Sequence, residues 1–258
     1  MIGKAVGTFF ATLRDALARG LVSCRVTPNM LTLAGCVLNI LTGVCLAWGV
    51  KTMHPFFFAL AIVLLYWCAA CDMLDGAVAR IGGKSSKFGA FLDSTTDRIS
   101  DFALWAGLAF GYAWLGKPNL TFMLLSMIAF LNSFLISYTK ARAEDMIESC
   151  PVGYWQRGER FAAVIFGIMG MNPGALILQQ AISPVFTWLR RANYTRQVLA
   201  GKTPPVSARS PQARWYHKIQ PWLYPRISLP YDFITILNII WLIWAPINPA
   251  RLDIFTAF

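Results

Sequence analysis

Charge is scarce in this chain: 14% of its 258 residues are Asp, Glu, Lys or Arg, where soluble domains carry about 25%, and 57% are hydrophobic. That balance excludes an ordinary water-soluble fold and calls for a bilayer, which a helix crosses with about 20 apolar residues. Histidine is rarer still, with only His54 and His217. Six cysteines include one CxxC pair, Cys68 and Cys71, but no second pair and no histidine lie near it. The four ligands of a tetrahedral zinc site are therefore missing, and the cysteines read as small buried hydrophobes. Acidic residues number 12 against 23 basic ones, for a net charge of +11. Such a surface suits nucleic acid, anionic headgroups or phosphorylated small molecules. No aromatic-basic module for nucleic acid is present, and the hydropathy favours the other two.

Apolar runs at 30–50, 55–71, 102–115, 120–138, 161–171 and 173–189 predict six spanning helices. The third extends back through Phe91 and the fifth through Gly158, which carries an acidic and a basic stretch into membrane helices. Met171-Asn172-Pro173-Gly174 reads as the turn between the last two. A further run at 231–247 suits a seventh span or an interfacial segment. No uninterrupted apolar stretch or small-residue cleavage site marks the first 25 residues as a secretory leader. Instead Val6, Phe9, Phe10, Leu13, Leu17 and Leu21 recur at helical spacing and predict an amphipathic helix on the membrane surface. The expected organisation is an interfacial helix over 1–25, a six-helix all-α membrane domain over 26–195, a polar Pro-rich segment over 196–230, and an extra membrane segment over 231–258. No internal repeat is visible.

With the N-terminus in the cytoplasm, only Lys51, Lys117 and Arg251 of the 23 basic residues fall on the far side. That asymmetry follows the positive-inside rule and predicts a multi-pass protein of the cell membrane with its charged loops in the cytoplasm.

The stretch 72–101 reads DMLDGAVARIGGKSSKFGAFLDSTTDRISD. Asp72 and Asp75 stand at the cytoplasmic end of the second run, Asp93 and Asp97 at the cytoplasmic start of the third. On helices, each pair shares one face. The GGKSSKFG loop between them turns the chain so that the pairs meet. Four converging carboxylates need cations, and oxygen-only ligands select hard ions such as Mg²⁺, Mn²⁺ or Ca²⁺. Two such ions about 4 Å apart form a clamp for displacement at phosphorus. A cation transporter would instead set its acids near the bilayer midplane, in broken or repeated helices. Asp101, one turn beyond Asp97, either orients Asp97 or is an ordinary helix residue.

Asp72, Asp75, Gly76, Ala79, Arg80, Gly89, Asp93 and Asp97 form the pattern DxxDGxxAR, eight residues, GxxxDxxxD, which resembles the signature of the CDP-alcohol phosphatidyltransferase family. The resemblance covers about residues 20–195 and includes Thr27-Pro28-Asn29. It implies a six-helix membrane bundle, often homodimeric, with two Mg²⁺ or Mn²⁺ ions on Asp72, Asp75, Asp93 and Asp97. Asp97 would also be the catalytic base that deprotonates the acceptor. CDP-diacylglycerol would be bound by Asn29, Thr32, Gly76, Ala79, Arg80, Ser86 and Gly89.

Ser137-Tyr138-Thr139-Lys140-Ala141-Arg142-Ala143-Glu144 and Arg157-Gly158-Glu159-Arg160 are similar to segments of the phosphatidylinositol-phosphate synthase subfamily, with Gln156 where that subfamily tends to carry Glu. This implies a phosphorylated alcohol acceptor, inositol 1-phosphate first and glycerol 3-phosphate second. Its phosphate would lie against Ser137, Lys140, Arg157, Arg160 and Arg191. Guanidinium and ammonium groups suit such an acceptor on chemistry alone.

This layout has a direct check. In a background without reactive native cysteines, a cysteine replacing Ser85 is expected to label from the cytoplasmic side only, and one replacing Lys117 from the opposite side only. The reverse pattern rules the layout out.

Overall fold

The computed structural model describes residues 2–202 and 229–255, and every regular element within them is helical. The helices are α1 (Ile2–Ser23), α2 (Pro28–Thr52), α3 (Pro55–Ile81), α4 (Lys87–Ala113), α5 (Leu120–Glu144), α6 (Arg157–Met169), α7 (Pro173–Ile182), α8 (Val185–Leu199) and α9 (Leu229–Trp244).

Local chemistry sets the boundaries. Thr27 caps α2 by accepting from the Met30 amide at 3.3 Å, and Pro28 fills the first helical position, where its missing N–H costs nothing. Ser86 caps α4 in the same way, from the Gly89 amide at 3.0 Å. Between α3 and α4, Gly83 takes a φ of +62°, which lets so short a link reverse the chain.

Helices α2, α3 and α5 are long and apolar enough to cross a membrane, at 25, 27 and 25 residues. At 1.5 Å per residue each exceeds the bilayer's hydrocarbon core of about 30 Å. Helix α4 matches them in length at 27 residues but carries charges in its first half. The chain is an integral membrane protein. Large apolar side chains cover its outer surface, among them Val37, Val44, Trp67, Phe110 and Leu131. Helix α1 lays Ala18, Leu21 and Val22 against Leu74, Ala77 and Val78 of α3 and leaves Leu13 and Leu17 exposed, while the side chains of Val6, Phe9 and Phe10 lie outside the described residues. At the far end, Lys51 Nζ stands 4.3 Å from the Trp114 ring centroid and 5.3 Å from that of Trp48. Aromatic and cationic groups of this kind gather at a membrane-water boundary.

The sixth run departs from expectation. It is not one helix over 173–189 but two, α7 and α8, broken at Ser183-Pro184. Pro184 has no N–H to donate, and its ring displaces the carbonyl four residues earlier, so the helical ladder stops there. The backbone groups freed at the break are satisfied from α5. Asn132 Nδ2 donates to the carbonyls of Gln180 at 3.2 Å and Ala181 at 2.8 Å, and Asn132 Oδ1 accepts from Trp188 Nε1 at 3.1 Å. In a bilayer such internal pairing is obligatory. Helix α8 runs to Leu199, so the expected boundary at 195 falls inside it. Most of the polar segment expected over 196–230 lies outside the described residues.

Helix α9 runs beside α6, tied at both ends. Near its start the Tyr231 hydroxyl donates to Glu159, and past its end Asn172 Nδ2 donates to the Ala245 carbonyl at 2.8 Å. Beyond it Asn119 Nδ2 reaches the Pro249 carbonyl at 2.7 Å, and Thr121 Oγ1 reaches Asp253 Oδ1 at 2.8 Å.

The α2–α4 crossing fixes where the aspartates stand. A Cβ added at Gly43 would lie 2.2 Å from the Ala103 carbonyl oxygen, and one at Gly107 would lie 2.1 Å from that of Gly43. No other residue type allows so close a backbone approach. Gly107→Ala is therefore expected to push the helices apart at an overpacking cost of about 1–3 kcal/mol. At about 2–4 °C per kcal/mol for a chain of this size, thermal unfolding in detergent falls by several degrees. Gly116→Ala, where an added Cβ meets nothing within 4 Å, is the control. Equal melting of the two variants contradicts this crossing.

Candidate active site

The α3–α4 turn brings the acidic pairs together. Ligand oxygens of Asp72, Asp93 and Asp97 lie within 4.8 Å of one another. Oxygens sharing one divalent ion at about 2.0–2.6 Å stand at most about 4–5 Å apart, so this hard-oxygen set fits such an ion with little movement. Asp75 stands slightly apart, because its Oδ2 accepts from Thr32 Oγ1 of α2 at 2.7 Å. All four carboxylates line one narrow cleft with Thr32, Asn39, Cys68, Ser100 and Arg157.

Arg157, at the start of α6, reaches into this cluster. Its Nη2 lies 2.5 Å from Asp97 Oδ1 and 3.1 Å from Asp72 Oδ1. One guanidinium thus bridges two carboxylates from different helices and offsets part of their mutual repulsion. Arg98 adds a longer contact to Asp97 at 3.7 Å.

Two larger spaces open from the cleft. The first is a groove of about 240 Å³ that contains all seven residues expected to bind a CDP-lipid: Asn29, Thr32, Gly76, Ala79, Arg80, Ser86 and Gly89. Asp75 and Asp93 form its inner wall. Gly89 is built into this groove, since an added Cβ would come within 3.2 Å of Ser86 Oγ and 3.6 Å of Asn29 Oδ1. The second space is a cavity of about 320 Å³ lined from α2, α3, α4, α5 and α6. Asp72, Asp97, Asp101, Arg157 and Arg160 supply its charged lining, Asn39, Ser100 and Ser133 polar atoms, and Leu65, Leu104, Trp105, Phe161 and Val164 its apolar walls.

The residues expected to grip an acceptor phosphate separate into two groups. Arg157 and Arg160 line the cavity; Ser137, Lys140 and Arg191 do not. The Ser137 hydroxyl donates to the Ser133 carbonyl of its own helix, and Lys140 pairs with Glu144 at 3.8 Å near the surface. Arg191 is buried at 3% exposure, donating to the backbone carbonyls of Val152 at 3.1 Å and of Ile136. Its donors tie α8 to the 150–156 loop at Val152 and to α5 at Ile136.

Three polar cavity residues escaped the sequence reading of the site: Asn39, Ser100 and Ser133. A signal existed for Asn39, a polar side chain buried in an otherwise apolar span, where such residues are costly and usually functional. Asp101 does not bond Asp97. Its Oδ2 lies 3.6 Å from Arg98 Nη1 and 3.7 Å from Arg160 Nη2.

Comparison with known proteins follows the same lines. The sequence model of the family described as CDP-alcohol phosphatidyltransferase matches residues 25–193. The phosphatidylinositol phosphate synthase of Mycobacteroides abscessus is 35% identical over 158 residues, covering 61% of this chain and 69% of that protein. That of Corynebacterium glutamicum is 35% identical over 195 residues, covering 74% and 84%. Among solved structures, Mycobacterium tuberculosis phosphatidylinositol phosphate synthase with CDP-DAG bound is similar at 29% identity and a TM-score of 0.60, covering 71% of this chain and 94% of that one. Its complex with manganese and citrate gives 29% and 0.61, covering 71% and 88%. With the signature residues gathered around one cleft and this match over most of its length, the chain belongs to the CDP-alcohol phosphatidyltransferase family.

Proposed function

We propose that this enzyme transfers a phosphatidyl group from CDP-diacylglycerol to inositol 1-phosphate, giving phosphatidylinositol phosphate and CMP. One observation carries the assignment. The groove shares Thr32, Asp75 and Asp93 with the acidic cleft, and the cleft shares Asp72, Asp97 and Arg157 with the cavity. Donor groove, acidic centre and a cavity walled by arginines are continuous, as a two-substrate transfer requires. The named relatives are phosphatidylinositol phosphate synthases, and the neighbouring structure holds CDP-DAG.

In this mechanism Arg80 and Ser86 hold the donor's diphosphate, with Asn29 and Thr32 toward the nucleotide. Gly76 and Ala79 keep the α3 surface low enough for the nucleotide to approach. Asp72, Asp75, Asp93 and Asp97 would hold two Mg²⁺ or Mn²⁺ ions, which supply charge neutralisation at the reacting phosphate and the leaving group. Arg157 and Arg160 bind the acceptor's phosphate and aim one of its free hydroxyls at the acidic centre. Asp97, which lines both cleft and cavity, takes the hydroxyl proton. The acceptor oxygen bonds to the lipid-side phosphorus, the bond from that phosphorus to CMP breaks, and CMP departs with the electron pair. The acidic end, surrounded by basic loops, faces the cytoplasm, where the charged substrates are dissolved. Helix α9, apolar over its 16 residues and packed on α6, is read as a seventh span.

Removing one charge-assisted contact to the acceptor phosphate is expected to cost about 1.5–3 kcal/mol. That is roughly a tenfold to hundredfold loss in acceptor efficiency at about 1.4 kcal/mol per decade. Arg160→Ala should lose efficiency toward inositol 1-phosphate with KM for CDP-diacylglycerol little changed, and Arg80→Ala should show the opposite bias. Equal effects on both substrates contradict the assignment of the cavity. Asp97→Asn is expected to abolish turnover while CDP-diacylglycerol binding stays within about tenfold; near-normal turnover contradicts its role as base.

A further inference from the structure

The turn that presents Arg157 and Arg160 is weak by its own chemistry. Gln156 makes no side-chain capping bond to α6, so the free amides of the first turn lack the usual side-chain partner. Gly158 sits in that same turn and lowers its helical preference further. Yet an arginine must point in one direction to select a phosphate, and Arg160 is only 7% exposed. Something outside α6 has to hold this turn in place.

Helix α9 supplies two such holds, although it lies beyond the segment that carries the family match. The Tyr231 hydroxyl donates to Glu159 Oε1, the residue just before Arg160. The Tyr231 ring also packs 5.3 Å from that of Tyr154, which meets Trp155 edge-on at 5.1 Å. The Trp155 carbonyl in turn accepts from Arg160 Nη1 at 3.4 Å. Tyr154 is itself fixed from α9, its hydroxyl lying 3.1 Å from Thr235 Oγ1 and 3.2 Å from Asn238 Nδ2. One residue of α9 thus holds the arginine-bearing turn directly and, through two aromatic rings, the backbone atom that orients Arg160.

We propose that Tyr231 is a positioning residue for the acceptor site and that α9 is the brace which keeps Arg157 and Arg160 aimed into the cavity. The proposal rests on the assignment of those arginines to the acceptor phosphate. It makes the C-terminal helix a determinant of acceptor affinity and not only an added membrane anchor. Tyr231→Phe keeps the ring against Tyr154 and removes the bond to Glu159, so the two holds can be separated.

The experiment compares the full chain with Tyr231→Phe, Glu159→Ala and the double variant, measuring both substrate dependences in one detergent, with hydrogen-deuterium exchange over residues 150–160. Each single variant is expected to raise KM for inositol 1-phosphate about fivefold or more, a fraction of what outright loss of a charged hydrogen bond costs. KM for CDP-diacylglycerol should hold within about twofold, the double variant should be no worse than the worse single one, and exchange over 150–160 should quicken. Thr121→Val, which cuts a tie at the opposite end, should leave acceptor KM where it was. Additive losses, equal effects on both substrates, or the same acceptor defect in Thr121→Val overturn the proposal. If the unaltered chain saturates with no phosphorylated acceptor, the assignment of substrate fails on its own. The exchange arm still decides the brace, since unchanged protection in Tyr231→Phe overturns it.

Discussion

Carboxylates crowded into the ends of apolar helices repel one another and resent leaving water, and this tension organises the molecule. Asp72, Asp75, Asp93 and Asp97 share one cleft because the α3–α4 reversal permits nothing else. The chain offsets their charge in part with Arg157, placed between Asp72 and Asp97. It engages Asp75 with the Thr32 hydroxyl. What remains is a set of hard oxygens at a spacing that suits divalent ions. The same electrostatic need draws α6 toward α3 and α4, and so closes the cavity beside the acidic centre.

Rigid packing keeps the carboxylates in register. Glycines at the α2–α4 crossing allow backbone contact, so α4 has little freedom to slide and its acidic face stays opposite α3. On the other half of the bundle, order comes from polar side chains in apolar surroundings. Asn132 satisfies the broken α7–α8 backbone, and Arg191 ties the Val152 carbonyl of the 150–156 loop and the Ile136 carbonyl of α5 to α8. Neither side chain touches the cleft, yet both set the position of the walls around it.

Local patterns were legible in the sequence; contacts across distant helices were not. The long apolar runs gave α2 to α5, and the i, i+3 and i, i+4 spacing of the aspartates put each pair on one face. The seven residues expected to bind the CDP-lipid lie in or beside helices whose faces follow from their spacing, and they line one groove. Arg191 and Lys140 resisted this treatment. A basic residue at a helix end can turn to a ligand, to a neighbouring carbonyl or to solvent, and only tertiary packing decides which. The break at Pro184 was written in the sequence, but the partners of Arg191 beyond it depend on where Ile136 and Val152 lie. The role of Arg157 depends likewise on a fold that sets α6 against α3 and α4, since nothing local pairs it with Asp72, 85 positions earlier.

The most direct test of the central claim is CMP release from CDP-diacylglycerol by the purified protein with Mg²⁺, measured with inositol 1-phosphate, glycerol 3-phosphate, serine and free inositol in turn. Release that depends on inositol 1-phosphate, with phosphatidylinositol phosphate as the lipid product, is the predicted result. Release that proceeds as well with serine or free inositol, or with none of the four, contradicts it, and preference for glycerol 3-phosphate would replace the acceptor while keeping the chemistry.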